Sequence, residues 1–182
     1  MSKKILVVKG SPRKNGNTSA LADAFAKGAK ESGNAVTEVV LKDKTIGDCM
    51  GCGVCQGNGG ICVQKDDMTD IYEAMKQADV IVLASPVYFY TWTSLMKRII
   101  DRTFALDNSL TNKKFYLLSA GAAPEERFMK TMTDSFRQYV DCFRAGGNEA
   151  GEILFACGTN APQDVKEMPV LKEAYQMGLA IC

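Results

Sequence analysis

The chain has 182 residues, enough for one domain that buries roughly 70% of its unfolded surface without disulfide or metal staples. Hydrophobic residues (46%) and charged residues (24%) exclude a disordered chain, and 22 basic against 21 acidic side chains exclude a strongly electrostatic nucleic-acid binder. There is no histidine, which excludes Ser-His-Asp and Cys-His catalysis and every imidazole-built metal site.

In chain order, Met1-Ser2-Lys3-Lys4 is basic, but only Ile5 to Val8 follow as an apolar run. That is too short for a signal peptide, and no later run approaches a membrane span. The expectation is a cytoplasmic protein with no membrane and no nucleic-acid partner, whose seven cysteines stay reduced and read as thiols or ligands. Lys4 to Lys9 reads as a buried strand ending at Gly10. Leu21, Ala24, Phe25 and Gly28 fall at helical spacing between Thr18 and about Lys30. Val36 to Leu41 is a second strand. Lys42 to Lys65 then has no period, which marks a functional or disordered loop. Asp66-Asp67 reads as the cap of a helix striped by Ile71, Ala74, Met75 and Ala78.

Val80 to Ala84 is a third strand leading into a Ser85-Pro86 turn, followed by a helix from Ser94 to Phe104. Phe115 to Ser119 is a fourth strand. Pro124, Glu125 and Glu126 suit a helix start, with Phe128, Met132, Phe136, Tyr139, Val140 and Phe143 as its stripe and Gly146-Gly147 as its end. Ile153 to Ala156 is the fifth strand. Pro169 opens a last helix with Leu171, Ala174, Tyr175 and Gly178 on one face. Strands alternating with helices predict an α/β fold, a doubly wound five-stranded parallel sheet with helices on both faces, as one domain across 1–182. Ligands of such sheets sit beyond the carboxyl ends of the strands.

Gly10 to Ser19 joins the first strand to the first helix, where free N–H groups favour an anion. Asn17 follows Gly16 where a Walker A loop needs lysine, and G-x-G-x-x-G is missing. Ser11, Arg13, Asn17, Thr18 and Ser19 remain as a cradle for one phosphate, with a merely capping polar turn as the alternative. After the third strand, Tyr88, Phe89, Tyr90 and Trp92 offer a platform for a flat cofactor or a subunit interface, and Ser119 to Ala123 is small enough for a ring to approach.

G-S-P-R-K-N-G-N-T, S-P-V-Y-F-Y and K-R-I-I-D-R together resemble the NADPH-dependent FMN reductase family over essentially the whole chain. The resemblance implies a flavodoxin-like fold. It also implies FMN, with the phosphate at Ser11, Arg13, Asn17, Thr18 and Ser19 and the isoalloxazine near Pro86, Val87, Tyr88, Phe89 and Gly121. A homodimer or dimer of dimers, with the flavin near the subunit boundary, is implied as well.

Cys49, Cys52, Cys55 and Cys62 form C-x2-C-x2-C-x6-C inside a loop at about 42–65, with glycines at 51, 53, 57, 59 and 60. The start matches the ferredoxin spacing, but the fourth cysteine comes later and Val63 follows it. The run resembles the compact motif of iron–sulfur flavoproteins, which implies that all four ligate one 4Fe-4S cluster. Zinc and free thiols remain the alternatives. Cys142, beside the fourth helix's stripe, reads as a small core hydrophobe. The resulting expectation is an FMN-dependent oxidoreductase or electron-transfer flavoprotein, with NAD(P)H, another small molecule or a protein as electron donor. A cluster-free NAD(P)H-dependent FMN or quinone reductase and a passive flavodoxin-like carrier are the alternatives.

Overall fold

The computed structural model describes residues 2–182, so Met1 of the basic N-terminal stretch lies outside the described residues. Five strands, β1 (Lys4–Lys9), β2 (Ala35–Val40), β3 (Val80–Pro86), β4 (Lys114–Ala120) and β5 (Glu149–Ala156), pair in parallel in the order β2-β1-β3-β4-β5. This is the flavodoxin-like order, whose switch point lies between β1 and β3.

Alternating side chains divide the core between the two faces of the sheet. Ile5, Val7, Val82 and Leu118 pack under helices α1 (Asn17–Glu31) and α6 (Pro169–Leu179). Leu6, Val8, Ile81, Leu83 and Leu117 meet α3 (Met68–Gln77), α4 (Ser94–Arg102) and α5 (Lys130–Asp141) on the other face. The remaining helix, α2 (Val54–Gly57), is a single turn within the cysteine-rich loop.

Several expected boundaries move. Ser85 and Pro86 are still paired to Ser119 and Ala120, so β3 runs on through the expected turn. The helix expected from Pro124 begins at Lys130; Glu125 is extended and Glu126–Met129 is a 3₁₀ turn. The tighter turn rotates Phe128 off the stripe, leaving it 41% exposed with the Arg127 guanidinium over its ring. That helix also closes at Asp141, before Gly146-Gly147. Cys142 is exposed rather than core, because it lies two positions past buried Val140 on the opposite side of the turn. In α6 the buried stripe is Val170, Ala174, Met177 and Gly178; Leu171 and Tyr175 sit at its margin, and Tyr175 Oη donates to Glu31.

Trp92 is no part of an exposed platform. It is 5% exposed and donates its indole N–H to Ser135 Oγ at 2.8 Å. Asp67 does not cap α3 through its side chain; its carboxylate instead accepts from Thr45 N–H at 2.7 Å.

Candidate functional site

Three strands end at one edge of the sheet, and their loops are tied together by short polar side chains. Thr93 Oγ1 donates to the Gly10 carbonyl at 2.8 Å and accepts from Met96 N–H, capping α4. Thr93 N–H donates to Ser85 Oγ, and Ser119 Oγ donates to the Ser85 carbonyl at 2.6 Å. The loops after β1, β3 and β4 are therefore positioned by bonds that leave little freedom.

Between them lies a cavity of about 200 Å³, at the switch point. Ser11, Arg13, Asn17, Thr18, Pro86, Val87, Tyr88 and Gly121 all line it. Ser19 and Phe89 do not: Ser19 Oγ turns to the Arg13 carbonyl, and Phe89 projects away at 98% exposure. Gly16, Ala120, Ala122, Thr159 and Asn160 complete the wall. The last two come from the loop after β5, which the sequence reading left out although the same edge rule covers it.

The end of the cavity formed by Ser11, Arg13, Gly16 and Thr18 has the chemistry of an anion cradle. Gly16 starts α1 with no side-chain cap, so the first-turn N–H groups are left for another acceptor. Thr18 Oγ1 is buried and has no hydrogen-bond partner, which a native structure keeps only for a reason. Asn17 is already engaged, its amide donating to the Ala161 carbonyl and accepting from Val165 N–H, so it joins α1 to the far wall. Gly121 keeps the backbone bare in a tight place: a Cβ there would lie 2.8 Å from Met129 Cε and 3.3 Å from Val87 Cβ, so both neighbours would have to shift.

Tyr88 and Thr91 exchange backbone hydrogen bonds around Phe89 and Tyr90, forming a two-residue turn. Both central residues have positive φ, 47° and 67°, the geometry of a type I′ turn that Asn-Gly adopts far more readily. Holding two aromatic residues there costs about 1–3 kcal/mol each, a strain typical of ligand clamps.

The four motif cysteines border a second, narrow cavity of about 20 Å³, shared with Arg102, Phe104 and Ala105. All four are free thiols; Cys49 and Cys52 are exposed, and Cys55 and Cys62 are half-buried. Among the described residues, no three His, Cys, Asp or Glu side chains are gathered closely enough to hold a metal ion. Gly51, Gly53, Gly59 and Gly60 all take positive φ, which lets so short a segment reverse direction repeatedly.

The loop is closed at its base by a buried ion pair. Arg102 Nη1 donates to Asp66 Oδ2 at 2.7 Å and to the Gly47 carbonyl at 2.8 Å, and Nη2 donates to Asp66 Oδ1 at 3.1 Å. Asp66 also accepts from Gly47 N–H and Met68 N–H. Burial alone would raise its pKa, but the Arg102 guanidinium and the two amides outweigh burial and hold the carboxyl below its ordinary value. Tyr72 donates to the Arg102 carbonyl at 2.9 Å, and burial pushes its phenol up to about 12.

A larger cavity of about 510 Å³ lies at the opposite edge, lined by Lys3, Asp79, Lys113 and Lys114 among others. It faces the amino ends of the strands, where α/β sheets do not place ligands, and it gathers no orphaned group.

Comparison with known proteins places these features in a family. The chain is 41% identical over 113 residues to an iron-sulfur flavoprotein of Archaeoglobus fulgidus, covering 62% of this chain and 51% of that protein. It is 36% identical over 123 residues to an iron-sulfur flavoprotein of Methanosarcina thermophila, covering 66% of this chain and 64% of that protein. The matches thus span roughly half to two thirds of these curated relatives. In fold the chain is similar to an NAD(P)H:quinone oxidoreductase from Methanothermobacter marburgensis, with a TM-score of 0.77, 16% identity and 99% coverage of both chains. It is similar as well to an azoreductase from Bacillus anthracis, with a TM-score of 0.74, 19% identity and full coverage of both chains. The pattern of the NADPH-dependent FMN reductase family matches residues 3–147, most of the length, and the chain belongs to that family.

Proposed function

We propose that this chain is an FMN-dependent oxidoreductase that also carries one 4Fe-4S cluster on Cys49, Cys52, Cys55 and Cys62. The observation that carries the flavin is the unpartnered, buried hydroxyl of Thr18 in a cavity beside an uncapped helix start. The N–H groups of that first turn, Ser11, Thr18 and the exposed guanidinium of Arg13 would hold the phosphate, and Ser19 borders them. Pro86, Val87, Tyr88 and the bare backbone at Gly121 would face the ring, with Phe89 at the rim. Bound FMN supplies the hydride and electron chemistry for which a chain without histidine has no side chain.

For the cysteine loop, two things support the cluster: this chain has four unpaired thiols bordering one cavity, and it is similar to proteins named iron-sulfur flavoproteins. The cavity is narrow, so loading requires the loop to open around its exposed cysteines. A cluster there would pass electrons singly to or from the flavin's partners. Thiols kept free suit a reducing compartment, which favours the cytoplasm. Two exposed, strained aromatics beside a flavin cavity below the usual size of about 300–1,000 Å³ favour a homodimer in which a second copy completes the wall.

A cluster-free NAD(P)H-dependent reductase is the second reading, favoured by that same narrowness of the cysteine cavity. One preparation separates the two. Protein purified without oxygen should contain about one FMN per chain and iron and sulfide at about four each. Flavin with zinc alone, or with no metal, would leave the reductase, which would then oxidise NADPH steadily with free FMN or a quinone. Flavin reduced only by a protein donor would point to a passive carrier.

A further inference from the structure

Asn17 opens α1 inside the loop that reads as a phosphate cradle, yet both ends of its amide serve another part of the chain. The residue is buried, its Nδ2 donates to the Ala161 carbonyl at 2.9 Å, and its Oδ1 accepts from Val165 N–H at 3.3 Å. Both partners belong to the segment between β5 and α6. That segment carries Thr159 and Asn160, two wall residues of the cavity at the switch point, and it lies beyond the residues matched by the family pattern.

The segment is fastened elsewhere as well. Gly158 N–H donates to the Ala123 carbonyl at 2.7 Å, and Thr159 donates to the Gly121 carbonyl through its N–H at 3.0 Å and its Oγ1 at 3.2 Å. Asp164 Oδ2 accepts from Asn160 N–H and Ala161 N–H at 2.8 Å each. Beside them Gln163 holds φ at 73°, a left-handed conformation that a residue with a side chain keeps only where its surroundings impose it. Residues 158–161 thus bridge the Gly121 side of the cavity, read above as the ring side, and the α1 start, read as the phosphate side. Asn17 fixes the second end of that bridge.

We propose that Asn17 is a positioning residue, which contributes to flavin affinity by holding the 158–165 segment as a cavity wall rather than by binding the phosphate. The proposal rests on the flavin reading given above. Without Asn17, the Ala161 carbonyl and the buried Val165 N–H lose their partner, and the wall must be ordered by the ligand itself. Ordering a loop on binding costs affinity for every ligand that uses that wall, with or without a phosphate.

The experiment compares FMN with riboflavin, which lacks the phosphate, by fluorescence titration of flavin-free protein whose folding is checked by circular dichroism. Asn17→Ala should weaken both ligands by the same factor, about five- to tenfold for the lost hydrogen bonds, so the ratio of the two affinities stays that of the parent chain. Thr18→Val is the contrast and should lower that ratio by weakening FMN alone. A loss confined to FMN in Asn17→Ala makes Asn17 a phosphate ligand and overturns the proposal. Unchanged affinity for both ligands overturns it too, since a purely structural residue lowers the urea midpoint and nothing else. Asp164→Ala loosens the same segment from outside the cavity's lining and should give the same paired loss. That variant carries the test if Asn17→Ala does not fold, and unchanged affinity there is again the contradicting result. Folded parent protein that binds neither flavin overturns the flavin reading and the proposal with it.

Discussion

The proposed flavin cavity stands on strand ends, whereas the cysteine cavity stands on a loop. Around the first, Thr93, Ser85 and Ser119 bind one backbone to the next, and the loops inherit the sheet's rigidity. Around the second, residues between the 3₁₀ turn Leu41–Asp43 and α3 have one helical turn of their own. They are held by Asp66, Asp67, Arg102 and a few amide contacts such as Gln64 Nε2 to the Asp48 carbonyl. The first cavity is formed by the chain's own hydrogen bonds. The second depends on a handful of polar clamps, so it should respond to single substitutions and to pH where the first does not.

The sharpest way to break that contrast is Asp66→Ala. It strips the partner from a buried guanidinium and should destabilise the chain by about 3–5 kcal/mol, read as a lower urea midpoint. FMN binding by the chain that remains folded should be unchanged, since no clamp of the flavin cavity is touched; parallel loss of affinity would show that the two regions are not independent. Acidity should act through the same residue. Asp66 titrates lower in the folded chain than its ordinary value of 3.8, so its stabilisation is complete above that pH and fades as pH falls toward the folded value. Asp66→Asn should flatten the acid limb of the stability curve from about 3.8 down toward the folded value.

On the flavin side, Arg13→Ala should weaken FMN binding by about 1–3 kcal/mol, measured by fluorescence quenching, with the melting temperature of the flavin-free chain unmoved because Arg13 is exposed. Thr18→Val is a finer probe. It should weaken FMN binding by about 1 kcal/mol while leaving the flavin-free chain as stable as before or more so, because an unsatisfied buried hydroxyl is removed. Equal losses in both would mean the hydroxyl already has a structural partner. Replacing Phe89-Tyr90 by Asn-Gly should stabilise the flavin-free chain by about 1–2 kcal/mol through relief of positive-φ strain. If the aromatics serve the ligand or a second copy, the same change lowers FMN affinity or shifts the sedimenting species toward monomer.

Strand positions were legible because buried parallel strands need uninterrupted aliphatic runs, and Ile5 to Val8 and Val80 to Ala84 have them. Ser11, Arg13, Asn17 and Thr18 could be proposed together because one short loop, Gly10 to Ser19, carries them all, and they line one cavity. Other features were hidden because they depend on partners distant in sequence. Trp92 looks like its exposed neighbours until Ser135 is placed beside it. Asp66 and Asp67 carry a cap's composition, yet their carboxylates also serve Thr45 and Gly47. Arg102 and Arg98 stand four residues apart on one helix, and only the fold buries the first and leaves the second at the surface. Thr159 and Asn160 reach the flavin cavity only through the pairing of β5 beside β4.

The central claim is a preformed flavin cavity at the switch point, and the most direct measurement is a fluorescence titration of folded, flavin-free protein with FMN and, separately, with riboflavin. The account predicts saturable quenching at one FMN per chain and much weaker binding of riboflavin, which lacks the phosphate that Thr18 and the α1 start would hold. Equal affinity for the two, or no binding by protein shown to be folded, would contradict it.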